Sequence, residues 1–205
     1  MKNNLTMNRK KSVEIVISAP RSRRKIVIPS PAVPGFERVE SLKVLGVTVN
    51  NKLSFSDHVE DMLTKCSRTL FALKTLRSHG MPDSALQNVF QATVLAKLSY
   101  ASSAWWGYTN ACDRERIEAY LRRSARSRFL ATTLTFADFC QTADTRLFNN
   151  IVNNSSHLLH SLLPPERWDR YSLRVRPHNF KLPVKTTLSE HNFITRMLYR
   201  DNCYH

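Results

Sequence analysis

The sequence is short of glycine and lacks paired cysteines, and each shortage excludes a class of protein. Its 205 residues include only 4 glycines and 4 cysteines. The glycines are too scattered to form a phosphate-binding P-loop, and no G-x-S-x-G nucleophile motif is present. No two cysteines form a C-x-x-C pair, so neither a zinc ribbon nor a disulfide scaffold is indicated. This cysteine usage fits a reducing, intracellular compartment.

Long apolar segments are also missing. The N-terminus, MKNNLTMNRKK, has no apolar core of a secretory signal. The least polar long stretch, about residues 85–108, is interrupted by polar side chains and is too polar to span a bilayer. We therefore expect a soluble protein without a membrane partner.

Acidic residues are few relative to basic ones. The chain has 31 Lys and Arg against 16 Asp and Glu, which gives a formal net charge of +15 and a pI near 10.2. The first fifty residues are the most basic part, with 10 basic and 3 acidic side chains. A surplus of this size indicates a polyanionic partner, nucleic acid before membrane. The alternative is a charged surface that serves only solubility.

The N-terminal quarter has the pattern of short strands. Apolar, β-branched runs occupy residues 13–18 and 25–28, and a strand-like block runs from Val39 to Val49 with Gly46 in its middle. Prolines separate the runs. The pattern predicts a small β-rich segment over residues 1–53. It is too small to bury both faces of a sheet, so we expect it to be the edge of something larger.

From Ser56 onward the apolar period changes to that of a helix. A first amphipathic helix is predicted to end at Gly80 and Pro82, and a second to begin with Asp83 or Ser84 as its cap. A third helix is predicted over 113–129, and weaker helical patterns follow at 135–149, 154–163 and 191–200. The predicted fold class is α+β and mostly α. Its parts are the β-rich segment, a helical bundle over 54–133, and a helical and extended C-terminal tail over 134–205.

The clearest candidate binding surface is a row of arginines on the third helix. At 100° per residue the arginines fall opposite the apolar side of that helix; they are Arg116, Arg122, Arg123 and Arg126. Guanidinium groups on one helix face suit a phosphate backbone. The alternative is a solvated face that Glu115 partly neutralises. Trp105, Trp106 and Tyr108 are candidates for stacking on bases, although aromatic residues at a helix end more often fill a core.

No set of residues indicates an independent catalytic site. The sequence FADF (136–139) has one Asp where a two-metal hairpin needs two, and its surroundings have a helical pattern, so Asp138 is expected at the surface. Asp57 with Asp61 lacks a third ligand. Cys140 with His157 and His160 is one ligand short of a structural zinc site. The expected metal site is therefore none.

Six segments, taken in order, resemble the C-terminal part of non-LTR (LINE-type, jockey-like) retrotransposon reverse transcriptases. The first is Leu5-Thr6-Met7-Asn8 followed by Lys11-Ser12, which is similar to an L-x-x-N-x-x-K-[ST] motif. The second, LKVLGV (42–47), resembles the F-L-G-V strand of the primer grip. The remaining four segments are LSFSDHV (53–59), YASSAWWG (100–107), DRERIEAYLRRSARSRF (113–129) and NFITRMLYRD (192–201).

The resemblance implies a palm edge with a primer-grip hairpin, a helical thumb and a tail. It implies nucleic-acid contacts by Leu45 and Gly46 of the grip, by the four arginines of the thumb, and by N-terminal cations. Those cations are Arg9, Lys10, Arg23 and Arg24. Lys11 matches the lysine that, in the family, approaches the phosphates of the incoming nucleotide. The alternative is that it is one of three adjacent basic residues, Arg9, Lys10 and Lys11, on a solvated surface. The implied partners are RNA, an RNA/DNA template–primer duplex and the upstream polymerase domain, and the implied location is the nucleus.

The chain also departs from the family. The fingers, the first metal-binding Asp and the Asp-Asp pair of the family lie upstream of the matched segments, so the Mg²⁺ of the complete enzyme has no site here. We therefore expect a truncated RNA-directed DNA polymerase fragment that holds template and primer without catalysis. A second hypothesis is a stand-alone basic helical nucleic-acid-binding protein. A third is a scaffold that binds a protein through Trp105, Trp106 and the apolar stripe of 86–98.

Overall fold

The computed structural model describes residues 8–17, 31–131, 135–166, 178–186 and 189–200, with the side chain of Lys10 excepted. The fold is α+β and mostly α, with short strands near the N-terminus followed by helices, as the sequence predicts. The chain divides into two compact units, Met1–His58 and Val59–His205. The predicted strand over 25–28 lies outside the described residues.

The first unit contains two small two-stranded sheets. Strand β1 (Val13–Glu14) pairs in parallel with β2 (Glu37–Arg38), and β3 (Ser41–Val44) pairs antiparallel with β4 (Val47–Asn50). No described residue between 8 and 50 is buried. The described residues of this segment therefore form no hydrophobic core. This agrees with the expectation that so short a β-rich segment is too small to bury both faces of a sheet.

The block from Val39 to Val49 is a hairpin rather than one strand with a glycine in its middle. Leu45 and Gly46 join β3 to β4 with φ of 48° and 89°. Two positive φ values in a two-residue loop are the mark of a type I′ turn, whose twist matches that of the flanking strands. The glycine is thus required by the turn, and this corrects the mid-strand position that the apolar pattern predicts.

Leu45 is a poor residue for that turn, because a side chain with a Cβ in the left-handed region is disfavoured by roughly 1–2 kcal/mol. We expect Leu45→Asn, which supplies the Asn-Gly pair typical of such turns, to stabilise the hairpin by about 1 kcal/mol. Amide exchange in β3 and β4 should then slow by about fivefold. Lys43→Asn, placed in the strand, is the control and should not slow exchange; equal exchange in both variants would contradict the turn assignment.

Helix α1 (Ser56–Ser78) begins where the periodicity predicts. Its buried stripe is Val59, Met62, Leu63, Cys66 and Leu73. At its end the N–H of Met81 donates to the carbonyl of Leu76 at 3.1 Å, and that of Gly80 donates to Arg77 at 3.0 Å. This bond pair with Gly80 at a φ of 90° is a Schellman cap. The glycine ends the helix as predicted.

The second predicted helix is interrupted by a change of pitch. Helix α2 (Asp83–Phe90) continues through a π-helical segment (Gln91–Leu95) into α3 (Ala96–Ser99). Its N-cap is Pro82, one residue before the caps that the sequence favours. The predicted apolar stripe is nevertheless buried at Leu86, Phe90, Val94 and Leu98. A short helix, α4 (Ser102–Trp105), follows, and then α5 (Ala111–Arg126).

The C-terminal part adds two helices. Helix α6 (Phe136–Asn153) starts with a capping box between Thr135 and Asp138, and α7 (Phe193–Tyr199) ends the described chain. Residues 154–163 form turns and a short 3₁₀ segment, not the predicted helix. A second apolar cluster joins α6 to α7; it consists of Phe148, Ile151, Phe180, Phe193, Met197 and Leu198. The predicted tail therefore has a core of its own.

Candidate nucleic-acid interface

Helices α1 and α5 lie side by side and run in the same direction. Three contacts join them in the same order along both. Glu60 pairs with Arg116, the Tyr120 hydroxyl donates to the carbonyl of Cys66 at 2.9 Å, and Arg77 Nη1 donates to the carbonyl of Ser127 at 2.7 Å. Burial raises the pKa of the Tyr120 hydroxyl, which keeps it protonated as the donor of this bond. The interface therefore fixes the register of the two helices.

An open groove of about 840 Å³ runs along this helix pair, and we call it the arginine groove. All four arginines predicted for the thumb helix line it, together with a fifth from α1. The lining residues are Glu60, Leu63, Thr64, Ser67, Arg68, Phe71, Arg116, Ala119, Arg122, Arg123 and Arg126. Only one of them is acidic, so the groove is strongly cationic.

Two of the five arginines are tied to carboxylates. Arg116 pairs with Glu60 and, at 3.4 Å, with the buried Asp113. Its hydrogen bond with Glu60 raises the pKa of the guanidinium. Arg122 pairs with Glu115 on the solvent side of α5, where both side chains are more than half exposed. Exposed pairs of this kind contribute only about 0–1 kcal/mol, so giving one up for a phosphate costs little.

The other three arginines make no ion pair with any described carboxylate. They are Arg68, Arg123 and Arg126, and all three line the arginine groove. Arg123 and Arg126 lie in the last turn of α5, where positive charge is favoured by the helix dipole. The groove therefore presents three uncompensated guanidinium groups to an anionic ligand. A fourth, that of Arg122, is held only by an exposed pair, whereas Arg116 is held by two carboxylates.

The predicted site residues fall into separate groups. The four thumb arginines come together in the arginine groove of the second unit. Arg9 and Lys11 lie in a 3₁₀ turn of the first unit, and Leu45 and Gly46 form the tip of its hairpin. Arg23 and Arg24 lie outside the described residues. Sequence reasoning missed Arg68 and Phe71, whose only signal was their spacing of three on the polar side of α1.

The tryptophans are core residues and cannot stack on bases from the surface. Trp105 is 0% exposed and Trp106 is buried with it. Both rings pack against Phe136, with centroids 6.1 and 5.1 Å away. The stripe of α2 and α3 is likewise buried. This corrects two hypotheses: base stacking by the tryptophans, and a protein-binding scaffold that uses them with the 86–98 stripe.

The weaker chemical candidates have structural roles. Asp138 lies at the surface and caps α6, and its hydrogen bond with Thr135 lowers the pKa of the carboxyl. Asp61 pairs with Lys65 at 2.6 Å. Burial raises the pKa of the Cys140 thiol to about 12, which disfavours the thiolate that zinc would need. In the described ranges no three His, Cys, Asp or Glu side chains are grouped to hold a metal.

Each helix within the described ranges is too short or too polar to cross a membrane. Comparison of the chain with protein-family models, with curated proteins and with solved structures gives no match.

Proposed function

We propose that this chain binds nucleic acid through the arginine groove, as the thumb-containing C-terminal part of a non-LTR reverse transcriptase. The observation that carries the proposal is the grouping of five arginines on two packed helices, three of them without a described carboxylate partner. Guanidinium groups suit phosphate oxygens because their planar donors can bind two oxygens at once. The proposal assigns no catalytic residue to this chain.

The first unit supports the polymerase part of the proposal. Its hairpin ends in the exposed Leu45–Gly46 tip, and none of its described residues between 8 and 50 is buried. A two-stranded ribbon is marginally stable unless it packs on further structure. In the proposal that structure is the rest of a polymerase palm, with RNA and an RNA/DNA template–primer as partners.

A second candidate is a stand-alone helical module that binds nucleic acid. It is favoured by the second unit, which holds nearly all the buried apolar side chains, in α1 to α7. Both candidates use the arginine groove, but only the first also uses the hairpin tip. Leu45→Asp should therefore weaken template–primer binding under the first candidate and leave it unchanged under the second.

Salt dependence tests the groove directly. Each phosphate contact on duplex contributes about −0.9 to the slope of log K against log salt concentration. We expect the triple variant Arg68→Gln, Arg123→Gln and Arg126→Gln to flatten that slope by about 2 to 3. Fluorescence anisotropy of a labelled RNA/DNA duplex across a salt series gives the measurement.

The control removes the same charge elsewhere on the second unit. Lys97, Arg146 and Lys181 are exposed and do not line the groove. Replacing all three by Gln gives a variant with the same net charge as the first triple variant. We expect the slope of this control to differ from the wild-type slope by no more than about 0.9, the contribution of one phosphate contact. Equal flattening in both triples would show that net charge alone drives binding and would reject the groove as the site.

A further inference from the structure

Phe71 is an exposed aromatic residue inside the cationic groove. It is 74% exposed, although α1 buries other apolar side chains on its opposite side. It stands three residues after Arg68 and seven after Thr64, a spacing that places all three on one face of the helix. This large apolar ring lies open to water between cations. It does not contribute to the core, because the buried stripe of α1 consists of other side chains.

The helix register places Phe71 beside the free arginines of α5. Contacts join Cys66 to Tyr120 and Arg77 to Ser127, so Phe71 lies level with the stretch between those two positions of α5. That stretch holds Arg123 and Arg126. Among the described residues, no second ring and no cation lies over the face of Phe71. The exposed ring is therefore accessible to a ligand.

We propose that Phe71 stacks on an unpaired base, so that the arginine groove takes a nucleic-acid strand with at least one splayed base. This inference rests on the proposed function, because it needs phosphates on the arginines. Cationic grooves with an exposed ring bind single strands in this way: the charges follow the backbone and the ring covers the π-face of a base. A continuous duplex offers no such face, since its bases are stacked on each other.

The test compares three labelled ligands of about 12 nucleotides, a length within the usual site sizes. They are a single strand of mixed sequence, the same strand with abasic positions throughout, and a blunt duplex. We expect Phe71→Ala to weaken binding of the single strand by about 5- to 150-fold. Binding of the abasic strand and of the duplex should be unchanged, because neither offers a base to the ring.

Three further variants make the result specific. Phe71→Trp should retain single-strand affinity, and Phe71→Leu, which keeps apolar bulk without a π-face, should lose it. Tyr100→Ala removes a ring that is 55% exposed but outside the groove, and should have no effect. Since Phe71 is on the surface, thermal melting of its variants should match the wild type.

The outcomes separate this inference from the proposed function. Weaker single-strand binding by Phe71→Ala but not by Tyr100→Ala supports stacking. If the arginine triple weakens binding of all ligands while Phe71→Ala matches the wild type, the groove binds phosphates and stacking is rejected. If the wild type binds none of the three ligands, or if the arginine triple binds them as tightly as the wild type, the proposed function fails and the stacking inference fails with it.

Discussion

Replacement of Trp105 by alanine is expected to lower the free energy of unfolding by about 3–5 kcal/mol. The ring, carried by α4, is fully buried, stacks on Phe136 of α6 and meets the edge of Trp106. Its indole Nε1 donates to the carbonyl of Tyr100 at 3.0 Å. Alanine removes these ring contacts, leaves a cavity that the helices can only partly close, and deprives the carbonyl of its donor.

Urea denaturation followed by far-UV circular dichroism measures this loss, and Trp105→Phe separates its two parts. Phenylalanine keeps most of the ring volume but has no N–H, so we expect a smaller loss of about 1–3 kcal/mol from the unsatisfied carbonyl and the missing ring. If Trp105→Ala does not fold, the free energy of unfolding of Trp105→Phe still tests the contribution of this side chain. A loss below about 0.5 kcal/mol in Trp105→Ala, typical of a surface substitution, would contradict its place in the core.

The parts of the fold that sequence predicts well are those set by local periodicity. The stripe of α1 repeats over six turns, and Gly80 supplies the one backbone conformation that closes the helix, so both the start and the end follow from neighbouring residues. For α5 the buried side, which includes Ile117 and Tyr120, is predicted equally well, although the helix runs from Ala111 to Arg126 and not over 113–129. Local patterns suffice here because each residue's environment depends on positions three and four away.

The misses occur where the local signal contradicts the structure. A leucine at positive φ hides the turn between β3 and β4, since Asn-Gly or Asp-Gly normally marks such a turn. Apolar residues in 154–163 suggest a helix, but Asn154 and the following serines form turns. The π-helical segment at Gln91–Leu95 keeps helical spacing and has no signature in the sequence.

The candidate site was only half predictable. The four arginines of α5 share one helix, so their grouping follows from a 100° rotation per residue. Arg68 and Phe71 join them only because α1 packs against α5 in parallel, across a gap of about 50 residues in sequence. Local periodicity does not indicate which two helices meet. Burial of Trp105 and Trp106 depends in the same way on α6, which supplies Phe136.

Position in the groove also decides how much each arginine can contribute. Arg116 lies at the end nearest Glu60 and Asp113, and both carboxylates hold it in place. Arg123 and Arg126 lie at the other end, where neither makes an ion pair with a described carboxylate and where Phe71 lies level with them. We therefore expect the free end of the groove, rather than its paired end, to account for most of the salt dependence.

The ion pair between Asp144 and Arg196 fixes α7 on α6, and Asp144→Ala is expected to cost about 3–5 kcal/mol. Arg196 Nη1 donates to Asp144 Oδ2 at 2.8 Å, and the Asp144 side chain is only 3% exposed. The arginine side chain is trapped beside Gly107, where a Cβ would come within 2.5 Å of its Nε. Without the carboxylate, a guanidinium that is 23% exposed would lose its counter-charge with little room to move toward water.

A double-mutant cycle tests this pair against an exposed pair in the same protein. Because Asp144→Ala with Arg196→Met removes both charges, we expect its loss to fall short of the sum of the single losses by about 0.5–3 kcal/mol. Asp61→Ala breaks the exposed pair with Lys65 and should cost no more than about 1 kcal/mol. If Asp144→Ala costs no more than Asp61→Ala, the pair does not hold α7. Destabilisation of Asp144→Ala should lower the urea midpoint. If the variant still unfolds in a single cooperative transition, α6 and α7 unfold together with the helices of the arginine groove.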